Sequence, residues 1–72
     1  MKKIKKIKIK LNGKNKSIDH DSSLNKLIND LNIPIKKVAI EFNREIIDKK
    51  KIKKIKLKNN DVIEIVHFIG GG

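Results

Sequence analysis

At 72 residues the chain has room for one small domain with a marginal core. It has no cysteine, which excludes disulfides, thiolate zinc sites and thiol nucleophiles, and its two histidines, His20 and His67, cannot complete a metal site without carboxylates. The formal charge of +11 would suit nucleic acid or an anionic membrane, but Arg44 is the sole arginine among 19 basic residues and Phe42 and Phe68 are the only aromatics. Readers of nucleic acid favour arginine forks and stacking rings.

Lysine, isoleucine and asparagine together are what A/T-rich codons supply, so the lysines read as a solvated surface. No specific nucleic acid and no membrane partner are expected. No apolar run is long enough to span a bilayer, and the Lys/Ile alternation of the first eleven residues lacks the continuous core of a signal peptide. The expected location is the cytoplasm.

Lys6 to Leu11 alternates strictly, with Ile7, Ile9 and Leu11 on one face, and reads as a half-buried strand. Asn12-Gly13 is the pair favoured by a two-residue type I′ hairpin, and Lys14 to Ile18 is a weak return strand. Asp19 to Ser23 is turn-like, and Ser22 or Ser23 can cap the helix that follows. Leu24, Leu27, Ile28 and Leu31 form one apolar stripe over about two helical turns, and Pro34 is expected to end that helix.

Val38 to Phe42 is the next strand, followed by a tight turn at Asn43-Arg44 and a short strand, Glu45 to Ile47. Asp48 to Ile52 reads as a loop with one helical turn anchored by Ile52. Ile55 and Leu57 indicate a short extended piece, and Asn59-Asn60-Asp61 is a turn into the last strand. That strand, Val62 to Ile69, is apolar and β-branched, so it belongs in the centre of a sheet. Strands around a single helix in this length give an α+β architecture: a β-grasp, with a mixed four- to five-stranded sheet and one helix packed across it. Residues 1–69 are expected as a single domain and residues 70–72 as a flexible glycine tail.

The ending Asp61-Val62-Ile63-Glu64-Ile65-Val66-His67-Phe68-Ile69-Gly70-Gly71-Gly72 resembles that of the ThiS-type sulfur-carrier proteins of thiamine biosynthesis, which are ubiquitin-like β-grasp domains. Val38 to Ile47 resembles the family's strand–turn–strand with its central Asn, Leu11 to Lys14 its first hairpin, and Ser23 to Leu31 its single helix. The likeness covers essentially the whole chain. The family often carries a Pro-Arg pair and a Trp where this chain has Asp48-Lys49 and Ile52, and a Gly-Asp turn where it has Asn60-Asp61.

The resemblance implies a carrier, not an enzyme, that binds no cofactor or metal of its own. A ThiF-type partner would use ATP to adenylate the carboxylate of Gly72. Sulfur from a donor such as a cysteine desulfurase would then displace AMP, and the resulting thiocarboxylate would supply a ThiG-type thiazole synthase. Glycine has no Cβ, so Gly70, Gly71 and Gly72 can thread a narrow channel. From Ile69 the arm reaches about 13 Å if extended. Terminal glycines also occur in ubiquitin-like modifiers and molybdopterin-synthase small subunits, which stand as the alternative. A basic nucleic-acid-binding module is the more distant one.

Beside the tail, Val66, His67, Phe68 and Ile69 are the candidate partner contacts. Val66 and Phe68 share the parity of Glu64, opposite Ile63 and Ile65. If Glu64 faces water they form an apolar patch, which is either a docking surface or core.

Overall fold

A computed structural model describes residues 5–68 of the chain. The alternating lysines and apolar residues form β1, Lys6–Leu11, and the chain reverses at Asn12-Gly13 into β2, Lys14–Asp19. Both turn residues have positive φ, 50° and 81°, as a type I′ turn demands. β2 runs one residue further than the sequence indicates, because the ladder continues to a Lys6–Asp19 pair whose side chains also form an ion pair.

Helix α1 spans Leu24–Asp30, and Ser23 caps it by accepting from the Lys26 amide at 3.0 Å. Ser22 does not cap; it is buried, and its carbonyl accepts from the Leu57 amide at 2.8 Å. The helix also stops before Pro34 could stop it. Asn32 takes a left-handed φ of 56°, and the amides of Asn32 and Ile33 donate back to the carbonyls of Asn29 and Ile28. This is a Schellman ending with asparagine in the place usually held by glycine.

A 3₁₀ turn, Ile35–Lys37, leads into β3, Val38–Phe42, and Asn43-Arg44 turns the chain into β4, Glu45–Ile46. Both turn residues again have positive φ, 52° and 72°. Ile47, expected in β4, lies past its end, although its amide still donates to Ile40 at 2.9 Å. The charged stretch beyond is a 3₁₀ helix, Lys49–Lys54, capped by the Asp48 carboxylate. Ile52 anchors it at 1% exposure. The expected extended piece reduces to one bridge between Lys56 and Ser23, while Leu57 drops into the core.

The last strand, β5, is Val62–His67; Ile69, expected at its end, lies outside the described residues. The sheet order is β2-β1-β5-β3-β4, with β5 central, parallel to β1 and antiparallel to β3. Leu24, Leu27 and Ile28 of α1 pack on Ile9, Val38, Ile40, Ile63 and Ile65, so the helix lies across one face of a mixed five-stranded sheet. That is a β-grasp. The central strand is paired unequally on its two sides. Five residues of β5 pair with β3, but only Val62 and Ile63 pair with β1. β1 turns away at its hairpin, so among the described residues no strand pairs with the rest of β5 on that side.

Candidate functional site

The beginning of β5 is fixed by three side chains from neighbouring turns. Asn43 Oδ1 accepts from the Val62 amide at 2.8 Å, and Asn43 Nδ2 donates to Asp61 Oδ1 at 3.1 Å. The other carboxylate oxygen of Asp61 accepts from the Lys58 amide at 2.7 Å, which closes the turn at Asn59-Asn60. Asn59 in turn accepts from the Lys8 amide at 2.8 Å. At Asn43 one asparagine both takes positive φ and offers a side-chain carbonyl, whereas in the second turn Asn60 takes the positive φ and Asn59 supplies the carbonyl. These bonds set the register of β5 and hence where its far end emerges.

At that far end, parity decides which residues the sheet presents. Ile63 and Ile65 point to the helix and are buried, while Glu64 is exposed. Val66 shares the Glu64 face and is 55% exposed, and Phe68 is 62% exposed. His67 is paired across from Val38 on the helix side, yet it too is exposed, because the core ends before it. The Phe68 amide donates to the Lys37 carbonyl at 2.9 Å, and Lys49 Nζ stands 5.3 Å from the centre of the Phe68 ring. An ammonium at that distance is attracted to the ring face. Val66, His67 and Phe68 are therefore brought together at one end of the sheet. The remaining candidates, Ile69, Gly70, Gly71 and Gly72, lie outside the described residues.

The sheet face turned away from α1 carries further residues that the sequence did not single out. Ile46 is 74% exposed and sits directly across from Glu41, which in turn sits directly across from Glu64. A two-residue strand gives too little alternation to show which way Ile46 points. Along the same face Val66 lies across from Ala39. On the β1 side Lys6, Lys8 and Lys10 share this face, where their cross-strand partners are Asp19, Ser17 and Asn15. The face is thus basic along β1, acidic in the middle of β3 and β5, and apolar towards Phe68.

Among the described residues no three His, Cys, Asp or Glu side chains gather as a metal site would require, and no helix is long and apolar enough to cross a membrane. What the site offers is an exposed strand end beside apolar side chains, held in place by hydrogen-bonded turns.

Comparison with known proteins places this geometry. The ThiS family model matches residues 9–72. The chain is 40% identical over 65 residues to the sulfur carrier protein ThiS of Bacillus subtilis, a match covering 89% of this chain and 98% of that protein. It is also 33% identical over 66 residues to a thiazole synthase of Paramagnetospirillum magneticum, covering 92% of this chain but only 20% of that much longer protein. The crystal structure of the thiamine biosynthesis protein ThiS from Geobacter metallireducens superposes with a TM-score of 0.80 at 25% identity, covering 92% of this chain and all of that one. With the family model and the Bacillus protein both matched over nearly the whole length, the chain belongs to the ThiS family.

Proposed function

We propose that this protein is a cytoplasmic sulfur carrier that delivers sulfur for the thiazole ring of thiamine, with Gly72 as its reactive end. The observation that carries the reading is the likeness to the Bacillus sulfur carrier over 98% of that protein's length. The likeness of a thiazole synthase to this chain over one fifth of its length supports the same pathway and supports a thiazole synthase as the partner that takes the sulfur.

The chemistry follows from the weakness of a carboxylate as an electrophile. Its oxyanion is a poor leaving group, so a ThiF-type adenylating partner would first convert it to an acyl adenylate with ATP. The outer sulfur of a persulfide, on a donor such as a cysteine desulfurase or a thiol it has loaded, would then displace AMP to form an acyl disulfide. A second thiol outside this chain would cleave its S–S bond, becoming a disulfide and leaving a thiocarboxylate on Gly72. The carrier itself needs no thiol, metal or cofactor for these steps. In this reading residues 1–69 are the body and residues 70–72 the arm that enters the partner's site. Val66, His67, Phe68 and Ile69 form the docking edge. The turns at Asn43 and Asp61 aim that edge by fixing the register of β5.

The test is an intact mass. Incubated with the adenylating enzyme of the same genome, ATP and a sulfur donor, the chain should gain the mass difference between one sulfur and one oxygen. A fragment lacking Gly72 should gain nothing. An unchanged mass with an enzyme shown to hydrolyse ATP in the chain's presence would sink the proposal.

A further inference from the structure

We infer that the outer face of the sheet grips its thiazole synthase partner through an arginine that bridges Glu41 and Glu64. This rests on the sulfur-carrier reading above and identifies the chemistry of the partner's contact. Glu41 and Glu64 are directly opposite on β3 and β5. Their Cβ atoms therefore stand about 5 Å apart, an arrangement in which like charges repel and destabilise the sheet. The chain has 19 basic residues with which to relieve that repulsion, and on this face it does not. Among the described residues, side-chain ion pairs form at Asp19, Asp21 and Asp30, and none forms at Glu41 or Glu64.

The surroundings point to a protein partner. Ile46 and Val66, both mostly exposed, flank the carboxylate pair along the face, and Phe68 follows. A partner covering these side chains would exclude water from the carboxylates and strengthen their attraction to a cation. Arginine fits better than lysine, because its planar fork has five donors and reaches two acceptors, whereas an ammonium is a point charge. The lysine row of β1 on the same face gives it a second, opposite pole. Complementary charges on the partner would fix its orientation and so direct the chain's end into the synthase.

The experiment is a calorimetric titration with the purified thiazole synthase of the same genome. Glu41→Lys and Glu64→Lys are compared with Glu45→Lys, which makes the same change in charge at a residue paired with Phe42 on the opposite face. Each of the first two places a lysine across from a glutamate, so folding is retained, as circular dichroism would verify. Glu41→Lys and Glu64→Lys should each raise Kd at least about tenfold, with Glu45→Lys within about threefold. Glu41→Gln and Glu64→Gln should fall between. Wild-type-like affinity in both lysine variants, or an equal loss in Glu45→Lys, overturns the inference. A chain that gains sulfur but does not bind the synthase overturns it and leaves the carrier reading standing. One that binds in the expected charge-dependent way yet never gains sulfur does the reverse.

Discussion

The side-chain oxygen of Asn12 accepts a hydrogen bond from the amide of Ile65 at 2.7 Å, one step beyond the point where β1 stops pairing with β5. The backbone amide of the same residue donates to the Ile63 carbonyl at 2.9 Å. Asn12 thus shapes the hairpin through its positive φ and extends the β1 ladder through its side chain. Replacing it separates the two roles. Asn12→Gly keeps the turn and leaves the partly buried Ile65 amide without its acceptor, so it should lower unfolding free energy by about 1–2 kcal/mol in urea titrations. Asn12→Asp retains an acceptor and should keep most of the stability. Equal stability of the wild type and Asn12→Gly would show that the bond contributes nothing.

Asn43 holds the other flank of β5. Its φ of 52° makes glycine the natural replacement for testing the side chain alone. Asn43→Gly removes the acceptor for Val62 and the donor to Asp61, so a loss of about 1–3 kcal/mol is expected. Hydrogen exchange should show reduced protection at the Val62 amide before the helix is affected. If Val62 stays fully protected, the turn is held by its backbone bonds alone.

How much of this was open to inspection in the sequence depends on the kind of signal. Ile7, Ile9 and Leu11, or Leu24, Leu27 and Ile28, repeat at the strand or helix period, and the structure places them where that period requires. The final strand's central position followed from apolar density at Val62, Ile63 and Ile65. The helix ends at Leu31, where its apolar stripe ends, but Asn32 and not Pro34 stops it: proline is a visible stop, while Asn32 acts only through a backbone conformation. The Glu41–Glu64 opposition joins residues 23 positions apart and depends on register, which no local pattern encodes. Val66 and Phe68 left two readings open because parity fixes a face but not what covers it. The tail chemistry came from resemblance to a family, and the described residues do not extend to it.

Ile52 and Ile46 give a paired test of the core's limits. Ile52 is buried by the 3₁₀ helix, whereas Ile46 is 74% exposed. Ile52→Ala should therefore cost about 2–5 kcal/mol, a large share of the roughly 4–11 kcal/mol typical of a domain this size. Ile46→Ala should change stability by less than about 0.5 kcal/mol. Urea midpoints for both variants check the contrast, and comparable losses would mean that Ile46 is covered in the free protein.

Two exposed ion pairs predict opposite pH dependences. The hydrogen bond and charge of Lys6 hold the Asp19 carboxyl below its ordinary 3.8. A lowered folded value means the pair's contribution is complete above 3.8 and is lost as pH falls through the lower folded value. The stability difference between wild type and Asp19→Asn should therefore be level near neutrality and shrink below that point. Asp30 raises Lys26 above its ordinary 10.5 through a hydrogen bond and its charge. That contribution is complete below 10.5 and fades as pH climbs through the raised folded value, so Lys26→Met should converge on wild type in alkali. Both pairs are exposed, so both effects are small and weaken with salt. A difference that grows towards its extreme of pH would contradict the assignment.

Val66 and Phe68 allow docking and folding to be measured on the same molecule. Their exposures of 55% and 62% leave little apolar area for folding to use. Val66→Thr keeps the β-branched shape and adds a hydroxyl that water can solvate, so stability should move by no more than about 0.5 kcal/mol. Phe68→Ala also removes the ring beneath Lys49, which is worth about 0.5–1 kcal/mol at an exposed site. If these side chains meet the thiazole synthase, the double variant should bind it at least about tenfold more weakly, far more than its change in unfolding free energy would explain. It should still gain sulfur when the adenylating enzyme is saturating, because the reactive end is untouched. A variant that loses several kcal/mol of stability and binds normally would assign both residues to the core instead.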